Sequence, residues 1–209
     1  TTPRAATQAF RRAALRYAVR MVAPATLKAE QAVGLYLVVF ALMLAGAPFV
    51  QGLGLWGVAL ALGLFQLAPA LGIVRANLGD VRAGVGLFPV GVRVWVGATL
   101  MGLSAPLLID WLVLSVQEWI APAPAELLRE LEATLVPADV PLWQVLLIVG
   151  LAPAVCEEIL FRGVIARSLR ERLGVWGAVL ASAFLFALMH LSGYRFAATF
   201  VLGILLAWL

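Results

Sequence analysis

Charge is what this chain most conspicuously lacks. Only 12% of its 209 residues are Asp, Glu, Lys or Arg, while 64% are hydrophobic; ordinary soluble domains carry roughly 25% charged and 45–50% apolar residues. That deficit excludes a water-soluble globule. One cysteine, Cys156, excludes an internal disulfide, and with one histidine, His190, no Cys/His spacing of the zinc-finger kind exists. No segment combines low hydrophobicity with dense charge, which excludes a disordered chain or an acidic tail. The formal net charge is +4, yet the arginines sit at the ends of apolar runs and no basic stripe is interleaved with aromatics. A nucleic-acid partner is therefore not expected. The composition is that of an integral membrane protein in contact with a lipid bilayer.

Apolar stretches run over about 31–50, 53–74, 92–117, 142–166 and 174–191, and from 196 onward. They are apolar on every face rather than alternating over about ten residues, so helices are expected and a transmembrane barrel is not. The predicted fold is all-α, a polytopic transmembrane bundle of five spans plus the start of a sixth. The last apolar run is 14 residues long and the chain opens on Thr1. Because a span needs about 20 residues, the expectation is a C-terminally truncated fragment.

With a cytoplasmic N-terminus, 13 of the 15 basic residues fall on the inner side, and only Arg129 and Arg195 fall outside. The positive-inside rule predicts that orientation for a multi-pass cell-membrane protein. An arginine-rich segment, Arg4 to Lys28, precedes the first span and reads as an interfacial helix on an anionic leaflet. Prolines 122, 124, 137 and 141 mark the outer connection. The expected organisation is a basic segment at 1–30, N-terminal helices and an outer loop at 31–141, and a C-terminal membrane domain at 142–209. The pattern Gly52-Leu53-Gly54-Leu55-Trp56-Gly57 resembles a dinucleotide fingerprint, but it falls between two spans rather than between a strand and a helix, so it is discounted.

The fourth span is apolar until Cys156-Glu157-Glu158-Ile159-Leu160-Phe161-Arg162-Gly163. Each charged residue at a helix centre costs at least about 2.5 kcal/mol on insertion scales, so this cluster needs compensation or a use. Glu158 and Arg162 are four apart and able to pair. Glu157 points about 100° away and is left to find a partner on another helix. His190 lies in the fifth span, with Phe186 one turn earlier. If the chain turns near Gly174, Glu158 and His190 each lie 16 residues from the turn and therefore at equal depth, where Glu157 and His190 can face each other. A carboxylate and an imidazole so placed form a general-base pair for activating water. Pro153 removes a backbone hydrogen bond one turn before Glu157 and is expected to open the helix there. Against this stands a structural reading, in which the Glu/Arg pair locks helices, the histidine is a hydrogen-bonded core residue, and Phe186, Phe161 and Cys156 are packing. Asp110, near the outer end of the third span, receives no role.

At these residues the sequence resembles the CPBP family, the CAAX proteases and bacteriocin-processing enzymes grouped with Abi-like proteins. The family pattern E-E-x-x-x-R appears as Glu157-Glu158-Ile159-Leu160-Phe161-Arg162, followed by the typical Gly163. F-x-x-x-H appears as Phe186-Ala187-Leu188-Met189-His190, and Phe200 to Leu206 resembles the family's glycine-containing next helix. The resemblance covers about residues 142–209. It implies an intramembrane endopeptidase of the CAAX prenyl protease 2 kind, acting on a membrane-associated peptide or a prenylated C-terminus. Glu157 would polarise the attacking water and His190 would orient it, with Glu158, Arg162 and Phe186 in support. The family's further histidine, followed by asparagine four residues later, has no counterpart here. Zinc is left open, with Glu157 and His190 as two ligands and a further one expected beyond Leu209. The alternative is a non-catalytic membrane protein, either transporter-like or a degenerate family member with an immunity or scaffold role.

Overall fold

The computed structural model describes residues 25–93, 95–97, 99, 100, 122, 124–126, 129 and 140–208. The basic segment from Arg4 to Arg20, most of the third apolar stretch with Asp110, and nearly all of the outer loop lie outside them. Every regular element among the described residues is helical. Three stretches are long and apolar enough to cross a membrane: Ala29–Val50, Leu55–Leu78 and Leu142–Met189. The first two are α1 and α2. The third breaks at Gly174, whose φ of 69° and ψ of −179° are non-helical, giving two arms, α4 (residues 142–173) and α5 (residues 175–189). A short α3, Val81–Gly84, follows α2, and α6, Gly193–Trp208, follows α5. The expected reversal near Gly174 is thus present, at a residue free to take positive φ.

Both prolines inside these two spans sit where the helix has just widened. Leu62–Leu67 and Leu146–Leu151 are π-helical, and Pro69 and Pro153 each follow by two residues. Proline lacks an N–H and its ring crowds the carbonyl four residues back. One extra residue in the preceding turn moves that carbonyl aside, which is the local cause of both wide turns. A third π-helical stretch, Glu158–Ala166, carries Arg162. Widening before the charged cluster follows from Pro153; its continuation through the cluster does not.

The arms α4 and α5 pack antiparallel along a seam at Phe161. The Ser182 hydroxyl donates to the Phe161 carbonyl at 3.1 Å, and the Phe161 and Phe186 rings meet edge to face at 5.2 Å. Helix α1 closes over this seam: Tyr36 packs on Phe161 with ring centroids 6.4 Å apart and donates its hydroxyl to the Leu185 carbonyl at 3.1 Å. Val39, Val74, Leu160, Val164 and Ile165 complete a core drawn from α1, α2 and α4. Large apolar side chains on the outer faces, among them Leu37, Phe49, Leu146 and Trp176, remain exposed. Such faces suit lipid rather than water.

The polar end of the bundle gathers where the sequence places its arginines. Gln31 donates to Asn77 at 2.8 Å, tying the start of α1 to the end of α2. Arg167 donates to the carbonyls of Ala83 and Gly84 at 3.0 and 2.9 Å, holding α3 against α4. Asp80 caps α3 by accepting from the Ala83 N–H at 3.1 Å. Gly54, in the discounted glycine pattern, has a φ of 57° within the turn between α1 and α2.

Candidate active site

Arg162 is the hub of the charged cluster. Its side chain is 12% exposed, and its Nη1 lies 3.3 Å from Oε1 of Glu158, whose side chain is 44% exposed. The guanidinium also stands over the Phe186 ring at 4.7 Å and donates from Nη2 to the Gly203 carbonyl at 3.4 Å. One side chain therefore touches α4, α5 and α6. Its Nε and Nη1 have no hydrogen-bond acceptor among the described residues, so the contact with Glu158 is an ion pair by distance without hydrogen-bond alignment. The planar face of arginine, stacked on an aromatic ring, suits it to this junction better than a lysine point charge would.

The expected pairing of Glu158 with Arg162 is present, and the separation of the two carboxylates follows. Glu157 makes no hydrogen bond or ion pair among the described residues, with His190 included. The positive charges of Arg162 and Arg195 act on it through space, as does the negative charge of Glu158. It is only partly buried.

His190 ends α5. Its Nδ1 lies 2.9 Å from the Phe186 carbonyl. A carbonyl only accepts, so the hydrogen bond puts a proton on Nδ1 and leaves Nε2 of the neutral ring as an acceptor. The imidazole further packs edge to face on Phe186 at 4.9 Å. Phe186 therefore serves twice: its carbonyl fixes the tautomer, and its ring is held between the imidazole and the Arg162 guanidinium. The structure thus brings together Glu158, Arg162, Phe186 and His190 by direct contact, and Glu157 by electrostatic proximity to Arg162. Cys156 is buried, as expected of a small apolar residue.

Sequence reasoning missed two contributors. Arg195, counted only as an outer basic residue, carries a charge that acts on both Glu157 and His190. The chain reverses at Leu191, whose φ of 49° is unusual for a residue with a side chain. The Ser192 hydroxyl then accepts from the Arg195 N–H at 3.3 Å, fixing the first turn of α6 beside the site. Gly203 is the second. A Cβ there would stand 2.9 Å from the Ala183 Cα and 3.2 Å from Phe186 Cδ1. The glycine lets α6 approach α5 closely enough for Arg162 to reach its carbonyl.

A catalytic zinc takes three protein ligands and keeps one open position. No group of three His, Cys, Asp or Glu side chains able to hold a metal occurs among the described residues. Glu157 and His190 fall one donor short, and the described residues do not fit that metal.

The fold and site define a membrane-embedded helical protein with a paired and an unpaired carboxylate on α4 and a tautomer-fixed histidine at the end of α5. Residues 139–209, about a third of the chain, match the family model described as Rce1-like, type II CAAX prenyl endopeptidase. The matched segment contains both motifs, which bears out the resemblance to CPBP intramembrane proteases. No curated protein and no solved structure matches the chain.

Proposed function

We propose that the protein is an intramembrane endopeptidase that hydrolyses a peptide bond in a membrane-associated peptide or a prenylated C-terminus, using water activated by Glu157. The observation that carries this reading is the division of labour between adjacent carboxylates: Arg162 neutralises Glu158 at 3.3 Å, while Glu157 has no ion pair or hydrogen bond among the described residues.

In this mechanism the water donates one hydrogen bond to Nε2 of His190 and the other to the Glu157 carboxylate. Glu157 takes the proton as the water oxygen bonds to the scissile carbonyl carbon. The same proton then passes to the departing amide nitrogen as the C–N bond breaks, which yields a carboxylic acid and an amine and returns Glu157 to its starting state. Glu158 and Arg162 do not exchange protons; they hold α4, α5 and α6 in register. The N-terminus lies on the cytoplasmic side in this reading, as the distribution of basic residues favours.

Replacing Glu157 with Gln keeps the size and shape of the side chain and removes the base. Peptide cleavage is expected to fall by about 10²–10⁴-fold, with insertion and thermal stability unchanged. Retained turnover in the variant would overturn the assignment. An effect on ion or solute flux, with no peptide product from either form, would favour the transporter-like alternative.

A further inference from the structure

A second polar site lies far from Glu157, at the end of the bundle where α1 begins and α4 approaches the Gly174 turn. A cavity of about 490 Å³ there is lined by Lys28, Ala29, Glu30, Ser168, Glu171 and Arg172. At about 30 Å³ per water this is room for a small polar headgroup with several waters. The nearest of its α4 residues, Ser168, is 11 positions beyond Glu157, about 16 Å along the helix. The cavity is thus separate from the site described above.

Two features distinguish it from an ordinary charged helix end. Ser168 is 3% exposed, yet it lines the cavity and has no hydrogen-bond partner among the described residues. Buried hydroxyls are ordinarily paired, so one turned toward a cavity is positioned for a ligand. The second feature is the charge pattern. Lys28 and Arg172 contribute two cations and Glu30 and Glu171 two anions, and none of the four is ion-paired among the described residues. Over the described residues the cavity is neutral in sum, with both signs left without an ion pair among them.

Its position restricts what can fill it. Lys28 immediately precedes the candidate span Ala29–Val50, and Arg172 lies two residues before the Gly174 break. Both are therefore at the membrane–water interface, the depth of lipid headgroups. A purely anionic headgroup would bring no cation for Glu30 and Glu171. A choline headgroup carries a cation without N–H donors. A phosphate linked to a primary ammonium satisfies all five polar side chains.

We propose that this cavity binds phosphoethanolamine chemistry, supplied as the headgroup of a phosphatidylethanolamine lipid. Lys28, Arg172 and the Ser168 hydroxyl receive the phosphate, and Glu30 and Glu171 receive the ammonium. The site is independent of the proposed peptidase activity and is tested without measuring it.

The test is native mass spectrometry of the full chain, released from nanodiscs containing equal fractions of phosphatidylethanolamine, phosphatidylcholine and phosphatidylglycerol. The wild type is expected to retain phosphatidylethanolamine preferentially. Lys28→Gln with Arg172→Gln is expected to weaken retention by about tenfold, the equivalent of one charge-assisted contact. Glu30→Gln with Glu171→Gln is expected to move the preference toward phosphatidylglycerol. Displacement by soluble O-phosphoethanolamine would support the site but assign it to the free headgroup; resistance to displacement would support the lipid. Equal retention of the three lipids by the wild type, or a preference unchanged in both double variants, would overturn the proposal. Because all four substituted residues are exposed, thermal stability should be unaffected, and a variant that fails to insert is replaced by its single substitutions.

Discussion

Gly163 provides the sharpest test of the packing that positions the site. The residue follows Arg162 directly, and a Cβ at this position would stand 2.7 Å from the Val85 carbonyl oxygen and 3.3 Å from the Val85 Cβ. The first contact is with backbone and cannot be relieved by turning a side chain. Restoring an ordinary 3.4 Å contact requires α4 and the loop after α3 to separate by about 0.7 Å. That loop is also held by Arg167, which donates to Ala83 and Gly84 and stands 5.9 Å over the Phe88 ring. Overpacking of this kind costs about 1–3 kcal/mol, offset by the 0.5–1 kcal/mol or so that alanine gains over glycine in a helix. The net expected loss for Gly163→Ala is about 1 kcal/mol, with an upper end of about 2.5, or roughly 2–10 °C in Tm for a chain of this size. Gly150→Ala is the control. It lies in the same span, and a Cβ there would have nothing within 4 Å, so only the helical gain of about 0.5–1 kcal/mol remains and Tm should rise. Thermal unfolding in nanodiscs, followed by tryptophan fluorescence, measures both. The cleavage proposed for Glu157 should survive in Gly163→Ala below its Tm, because the substitution crowds Val85 rather than the carboxylate. A Tm equal to or above wild type for Gly163→Ala would refute the close approach of α4 to that loop.

Three further outcomes follow from particular contacts. Gln66 is 2% exposed and its Nε2 has no hydrogen-bond partner among the described residues; Gln66→Met should stabilise by about 1 kcal/mol by removing an unpaired buried donor, and a lowered Tm would show that the amide has a partner. A double-mutant cycle on Glu158→Gln and Arg162→Met should give a coupling of about 1 kcal/mol, below the 3–5 kcal/mol of a fully buried pair because Glu158 is 44% exposed; zero coupling would remove the ion pair from the account. On the proposed function, Arg195→Gln should lower kcat/KM about tenfold, Arg195→Lys should restore most of the rate, and a wild-type rate in Arg195→Gln would confine that residue to the surface.

Elements whose cause is local were legible in the sequence. The apolar stretches at 31–50 and 53–74 became Ala29–Val50 and Leu55–Leu78, since length and hydropathy alone decide whether a helix suits a bilayer. Gly174 announced its turn because an arginine-rich run ends there and glycine takes positive φ freely. Pro153 announced the widened helix before Glu157. The pairing of Glu158 with Arg162 followed from helical spacing, and the partnership of Phe186 with His190 from the same spacing on the next arm.

What escaped depends on which faces meet. Spans that are apolar all round carry no stripe to say which side is inward, so nothing marked Tyr36 as the residue that would reach Leu185 across 149 positions. Small residues supplied the missing information in a form that reads only afterwards. Gly163 and the glycine of Phe200 to Leu206 entered the sequence reading only as parts of family patterns, yet each is the point where a neighbouring backbone or ring comes within contact distance. Arg195 was obscured for a different reason: its approach to Glu157 and His190 rests on the reversal at Leu191, a branched residue at positive φ where glycine would be the ordinary choice. Glycine at this position would relieve that conformation and loosen the geometry between His190 and Arg195, which the leucine holds fixed at the start of α6.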